Sequence, residues 1–309
     1  MSDALLNALT VLLILAIGYG FKTAGIMSME LAKRLSIIVI YVTLPCAMLS
    51  GTSTDAEFDN SMLLILPLAL CVELGFMLTG FLCTRDPETR AFNMINMGGL
   101  NIGNFVLPFT QSILSPQAFL ALCLFDMVNA LFCFGGAYCL ALWVNRKGFK
   151  AVPISGKKIL KDIAGSVTFY CCFVAVILSI LQLQLPEVLL HPLKSIGSAN
   201  TFLCMLVIGA TLTFKMSLKD LKKIIRIMLL RTVVSLGLAA AFWFGLPYGT
   251  DVKFLLMVIV LAPTTSFASI MCITKLPKFA GPSADINMLS MISALVLITS
   301  LHALMVLLL

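Results

Sequence analysis

Charged residues are scarce in this chain. Asp, Glu, Lys and Arg make up 11% of its 309 residues, whereas 60% of the residues are hydrophobic and the mean hydropathy is +1.06. Soluble domains carry about 25% charged residues, so this composition excludes a soluble domain. It predicts an all-α polytopic membrane protein.

Signature motifs of hydrolytic enzymes are also absent. Neither Gly-x-Ser-x-Gly nor His-Glu-x-x-His occurs in the sequence, and two isolated carboxylates are weak grounds for catalysis. The basic runs flank apolar segments and lack the interleaved aromatic residues of nucleic-acid-binding proteins. We therefore expect no enzyme, no nucleic-acid partner and no cofactor other than a coupling proton or sodium ion.

The ten cysteines do not form a disulfide framework or a metal site. All of them lie inside apolar segments, where cysteine usually behaves as a small buried hydrophobic residue. Cys171 and Cys172 are adjacent, so they point to different faces of a helix and are poorly placed to bind one metal ion. We expect no bound metal.

Apolar segments long enough, or nearly long enough, to cross a bilayer occur ten times. We number them as spans 1 to 10, and they cover residues 4–21, 31–50, 61–83, 90–113, 117–143, 163–183, 193–214, 224–246, 252–273 and 283–309. The pattern predicts ten transmembrane helices. The lipid bilayer is therefore one expected partner.

The basic residues predict the orientation. Of the 21 Lys and Arg residues, 18 fall on one set of alternate connections, two (Lys194 and Lys253) fall on the other set, and Arg231 lies inside span 8. Because cationic residues favour cytoplasmic loops, we expect a multi-pass protein of the cytoplasmic (inner) membrane with both termini outside the cytoplasm. Residues 145–162 form the predicted basic cytoplasmic linker.

The linker divides the chain into two five-helix repeats, residues 1–144 and 163–309. Corresponding spans begin 159 to 166 residues apart. Because five is odd, the second repeat enters the membrane from the opposite face, so the two repeats are inverted. Inverted repeats are common among secondary transporters, whose substrates bind near the membrane midplane at discontinuous helices.

Spans 4 and 9 contain helix-breaking residues deep in the membrane. Residues 93–108 read NMINMGGLNIGNFVLP and residues 258–271 read VIVLAPTTSFASIM. Unsatisfied backbone groups cost several kcal/mol in lipid, so such breaks must be buried in protein or line a watery cavity. With an offset of 162 residues, Asn101 corresponds to Pro263, and we expect broken helices 4 and 9 to cross.

The crossing predicts a binding site. Helix ends there would present amides and dipoles that suit an anion; the alternative is a pair of ordinary proline kinks with satisfied polar side chains. The predicted helix-break residues are Gly98, Gly99, Pro108 and Pro263. The predicted substrate-binding residues are Asn96, Asn101, Gly103, Asn104, Thr264, Thr265 and Ser266.

Four ionisable residues lie within apolar spans, where such residues often mark pathways. Asp126 shares a helical face with Asn129 and is the preferred proton or cation relay, with Glu73 second. Arg231 either extends to the basic membrane face or pairs with a buried carboxylate. His302 is expected to be a packed or interfacial residue.

The segment 101–108 (NIGNFVLP), the segment 261–264 (LAPT), the ten spans and the basic central loop together resemble the auxin efflux carrier family. Bacterial members of that family transport small organic anions of the malate or malonate type, whereas the short loop here differs from the long loop of the plant hormone carriers. The resemblance implies a scaffold domain and a transport domain, with the site at helices 4 and 9.

These expectations combine into a secondary transporter that moves a small carboxylate anion by alternating access, most simply as an efflux carrier. A sodium- or proton-coupled symporter or exchanger of related fold is the alternative, and a membrane sensor without transport activity is a further one. A homodimer is an assembly that the sequence leaves open.

Overall fold

The computed structural model describes residues 3–51, 59–111, 113–148, 154–212 and 221–308. Within these ranges the chain is helical, and one isolated β-bridge joins two connecting segments. Three basic residues counted for orientation, Lys150, Lys215 and Lys219, lie outside the described residues, as do 149–153 of the linker and the ends of spans 7 and 10.

The helices of the first half follow the predicted spans closely. They are α1 (Asp3–Thr23), α2 (Met29–Ser50), α3 (Asn60–Leu82), α4a (Pro87–Met97), α4b (a π turn, Ile102–Val106, continued by Leu107–Thr110) and α5 (Pro116–Asn145). Their starts have local causes: Ser28, Asp86 and Ser115 each accept a hydrogen bond from the amide three residues later, which is the usual N-cap.

The second half is also built from helices joined by short connections in its described ranges. Its helices are α6a (Gly156–Ala164), α6b (Val167–Ile180), α7 (Glu187–Thr211), α8 (Leu221–Gly245), α9a (Thr250–Leu261), α9b (Ser266–Lys275) and α10 (Ala280–Leu308). Ser166 is the N-cap of α6b and accepts from the Phe169 amide.

Six described helices are long and apolar enough to cross a membrane, and α6a with α6b forms a seventh candidate, bent by 68°. The chain is thus a polytopic membrane protein. Spans 4 and 9 are not among these candidates because their breaks leave pieces of only 11, 12 and 10 residues in α4a, α9a and α9b. Ten membrane spans and an inverted repeat stay predictions.

The broken helices lie in the protein core. Residues 91–97 of α4a and 255–261 of α9a are all buried: α4a packs against α3 and α5, and α9a packs against α8 and α5. Helices at the periphery instead expose large apolar side chains, such as Leu13 on α1 and Val233 on α8. This arrangement keeps the interrupted backbone away from the apolar outer surface, as lipid requires.

Candidate functional site

The two helix breaks meet in an antiparallel bridge between Leu100 and Thr264. The Asn101 amide donates to the Pro263 carbonyl at 2.9 Å, and the Thr265 amide donates to the Gly99 carbonyl at 3.1 Å. Buried main-chain groups need partners, and here each break supplies them to the other. The interrupted segments of spans 4 and 9 are therefore structurally interdependent.

Two glycines shape the break in span 4. Gly98 ends α4a in an extended conformation (φ −81°, ψ 138°), and Gly99 follows with φ +84°, a region that side chains other than glycine rarely adopt. A Cβ atom on Gly99 would lie 2.8 Å from Cγ2 of Thr265. Glycine at this position thus permits both the turn and the close approach of the second break.

Side chains of neighbouring helices satisfy the remaining backbone groups of the first break. Glu73 of α3 accepts the Gly99 amide at 2.7 Å. Asn129 of α5 accepts the Leu100 amide at 2.7 Å and donates to the Leu100 carbonyl at 2.9 Å. The side-chain amide of Asn129 therefore pairs with both the N–H and the C=O group of Leu100, as the backbone of a neighbouring β-strand does.

Helix α10 performs the same role for the second break. The Thr264 amide donates to Oγ of Ser290 at 3.1 Å, and the Thr264 carbonyl accepts from Nδ2 of Asn287 at 3.0 Å. Sequence reasoning did not select Asn287 or Ser290. The sequence pattern that could have identified them is a polar face on an otherwise apolar helix, because Ser283, Asn287 and Ser290 are spaced at i, i+4 and i+7.

Arg231 does not reach the basic membrane face, and its charge interacts with the buried carboxylate of Glu73, although the two do not form a close ion pair. The side chain is 4% exposed, so it does not extend to the membrane face. Its guanidinium donates to the Met97 carbonyl at 3.2 Å and to the Ala262 carbonyl at 3.0 Å, and stands 4.7 Å above the Phe76 ring. Arg231 therefore binds main-chain groups of both breaks at once.

A cavity of about 120 Å³ borders the joined breaks, and Arg231 is not among its lining residues. Three helices begin at its wall: α4b, α6b and α9b. Their lining residues are Asn101, Ile102 and Gly103; Ser166, Thr168 and Phe169; and Thr265, Ser266 and Phe267. Helix N-termini carry unpaired amides and partial positive charge, so this wall is chemically suited to an anion.

A second cavity of about 350 Å³ adjoins the first. The two cavities share Ile40, Asn101, Asn104 and Ser266 as lining residues. Lys33 of α2 contributes positive charge to the second cavity, together with the hydroxyl groups of Ser36 and Thr211. The shared residues form the partition between the inner cavity and this vestibule.

Five of the seven predicted substrate-binding residues line the inner cavity: Asn101, Gly103, Asn104, Thr265 and Ser266. Asn96 and Thr264 do not. Asn96 accepts from Oγ of Ser283 at 2.5 Å and donates to the Phe92 carbonyl, and the Thr264 hydroxyl is paired with Ser290. Both side chains join α4a and the second break to α10.

The predicted break residues have different local roles. Gly99 and Pro263 supply the carbonyls that accept the two bridging hydrogen bonds, and Gly98 ends α4a just before them. Pro108 instead lies within α4b after a π turn. A proline cannot donate to the turn before it, and the wider turn accommodates this. Gly103 has ordinary space around it, since a Cβ atom there would meet nothing closer than 3.4 Å.

Among the ionisable residues, Asp126 lines the inner cavity. Its Oδ1 accepts from Asn129 at 2.9 Å, and its Oδ2 lies 3.9 Å from Sγ of Cys172. Glu73 is fully buried next to the bridge, and its Oε1 has no hydrogen-bond partner in the described part of the chain. His302 is buried beside the Phe254 ring.

No group of three or more His, Cys, Asp or Glu side chains that could hold a metal ion occurs within the described ranges. The polar groups that line the inner cavity are instead amides and hydroxyls, together with the Asp126 carboxylate and the Cys133 thiol. Such a set favours hydrogen bonding to a small polar molecule over transition-metal binding.

Comparison with known proteins agrees with this architecture. A family model described as "Membrane transport protein" matches residues 4–166, more than half of the chain. A Methanocaldococcus jannaschii protein described as an uncharacterized transporter is 26% identical over 220 residues, which cover 67% of this chain and 68% of that relative. The chain therefore belongs to the membrane transport protein family, which is the auxin efflux carrier family.

Proposed function

We propose that the protein is a secondary transporter that moves a small carboxylate anion, such as malate or malonate, across the cytoplasmic membrane by alternating access. The observation that carries this proposal is the inner cavity, whose wall holds three helix N-termini beside the joined breaks, in a chain from a transporter family. The anion would bind there, and the helices of both predicted inverted repeats would contribute to its site.

The chemistry of the cavity wall supports an anionic ligand. Each helix N-terminus carries about half an elementary positive charge, and amides of the first turn can donate to a carboxylate. Asn101 and Asn104 add side-chain amides. Oδ1 of Asn104 is buried and has no hydrogen-bond partner among the residues that the structure describes, so it can accept from a hydroxyl or a protonated carboxyl group of the ligand.

The proposed orientation places both termini outside the cytoplasm. Lys33 then lies at the cytoplasmic end of α2, and the vestibule that it lines gives cytoplasmic anions a route to the inner cavity. Export of one negative charge from an inside-negative cell is favoured by about 2.3 kcal/mol per 100 mV. Efflux therefore requires no coupling ion.

Flux of radiolabelled malonate and malate in proteoliposomes tests this function. We expect saturable transport by the parent protein and a loss of at least about tenfold in transport efficiency for Asn104→Ala, because a buried ligand contact contributes about 1.4 kcal/mol or more. Asn145→Ala is the matched control, since Asn145 is a buried asparagine that lines neither cavity. Wild-type flux in Asn104→Ala would refute the site.

Coupling to a proton or sodium ion is the second candidate, and the position of Asp126 favours it. An ionised Asp126 carboxylate would repel an anion in the same cavity, whereas a proton or bound cation would remove that repulsion. We expect Asp126→Asn to abolish any dependence of anion flux on a pH or sodium gradient. Gradient-independent flux in the parent protein would exclude coupling and leave simple efflux.

A further inference from the structure

Arg231 connects the C-terminal ends of α4a and α9a, the two half-helices that end at the crossing. Met97 is the last residue of α4a, and Ala262 immediately follows the last residue of α9a. The carbonyls of both residues accept hydrogen bonds from the same guanidinium, at 3.2 Å and 3.0 Å. Helix α8 thus holds both broken helices through one side chain.

The charge of Arg231 matches what it binds. A helix C-terminus carries about half an elementary negative charge, so two C-termini together carry about one. A guanidinium carries one positive charge and presents its donors in a planar fork. The face of the Phe76 ring, 4.7 Å away, adds a further favourable contact for the cation.

The polar groups of the crossing are therefore segregated. Away from the cavity, Arg231 donates hydrogen bonds to two carbonyls, and Glu73 accepts one from the Gly99 amide. On the cavity side, the N-termini of α4b and α9b face the inner cavity. Arg231 lines neither cavity, so it does not contact a ligand there and acts on it through the half-helices that it holds or through its charge.

We propose that Arg231 is a positioning residue: it fixes the two half-helix C-termini behind the crossing and neutralises them, so that the cavity presents the positive N-termini to an anion. The fixation follows from the contacts alone, whereas the effect on anion affinity rests on the proposed function. Glu73 of α3 is the acidic residue facing the same centre, and the Arg231 charge offsets it as well.

Hydrogen–deuterium exchange tests the fixation without any ligand. We expect Arg231→Gln to speed exchange by at least about tenfold in peptides covering 97–107 and 259–270, with α1 and α7 unchanged. Arg231→Lys, which keeps the charge but loses the planar fork, should give a smaller increase. Arg226→Gln is the matched control, because Arg226 is an exposed arginine on the same helix.

Equal exchange in the parent and Arg231→Gln, or an equal increase in Arg226→Gln, would overturn the proposal. If Arg231→Gln does not fold, Arg231→Lys tests the proposal. Exchange at the parent rate at both breaks in Arg231→Lys would show that the planar guanidinium is dispensable and would overturn the proposal. Faster exchange confined to the two breaks would support fixation.

Malonate transport tests the electrostatic part. We expect Arg231→Gln to raise the half-saturating malonate concentration by at least about tenfold with a smaller change in maximal flux, and the added Glu73→Gln change to reverse part of this rise. An unchanged half-saturating concentration would overturn the electrostatic role. If the parent protein does not bind malonate, the proposed substrate is refuted instead. The hydrogen–deuterium exchange experiment would still test whether Arg231 fixes the two half-helices.

Discussion

Replacement of Gly99 by alanine should destabilise the protein through the bridge between the breaks. Alanine at φ +84° costs about 1–2 kcal/mol in backbone strain. Its Cβ atom would also lie 2.8 Å from Thr265 and 3.2 Å from Cys133, which would push the breaks apart and weaken the two bridging hydrogen bonds. Each such bond contributes about 1 kcal/mol, so the total loss is about 2–4 kcal/mol.

Equilibrium unfolding of the purified protein in mixed micelles, followed by circular dichroism, measures this loss. Gly103→Ala is the matched control: its Cβ atom would meet ordinary contact distances, and its φ is not among the positive values. We expect that control to change the unfolding free energy by less than about 1 kcal/mol. Equal stability of Gly99→Ala and the parent would refute the reasoning.

Three further predictions concern single polar residues. Asn129→Leu leaves the buried amide of Leu100 without its side-chain partner and leaves the Leu100 carbonyl with only the weak Cys133 thiol contact at 3.8 Å, so the same unfolding assay should show a loss of about 2–4 kcal/mol; a loss below about 1 kcal/mol would contradict this. Asp126→Asn should remove any stimulation of malonate flux by a transmembrane pH gradient, and a persisting stimulation would exclude Asp126 as the relay. Asp86→Ala removes the N-cap of α4a and should cost about 1 kcal/mol at pH 7. Hydrogen bonds from Thr89 hold the pKa of Asp86 below its ordinary value, so the native state favours the ionised form. The contribution is therefore present above the unfolded-state pKa and lost as the pH falls through the lower folded-state pKa, and the parent and Asp86→Ala should converge in stability at low pH.

The positions of the breaks could be predicted from the sequence because their causes are local. Gly98 and Gly99 permit backbone that a helix does not allow, and Pro263 cannot donate to the preceding turn. Pro108 shows the limit of this reasoning, since a π turn accommodates it and the helix continues. Local residue type indicates where a helix can break, whereas packing decides whether it does.

The partners of the breaks could not be predicted because they come from distant parts of the chain. Arg231 lies 134 residues from Met97, and Asn287 lies 23 residues from Thr264. Helical periodicity identifies the polar face of α10 but not which backbone group it meets. For the same reason, Asn96 and Thr264 were grouped with the cavity residues although their side chains face α10.

Equilibrium binding of radiolabelled malonate to the purified protein tests the central claim most directly, because it separates recognition at the crossing from the steps of transport. We predict saturable binding of one malonate per chain, with affinity at least about tenfold weaker in Asn104→Ala and unchanged in Asn145→Ala. Binding that Asn104→Ala and Asn101→Ala leave intact would contradict the account, since the anion would then be recognised elsewhere.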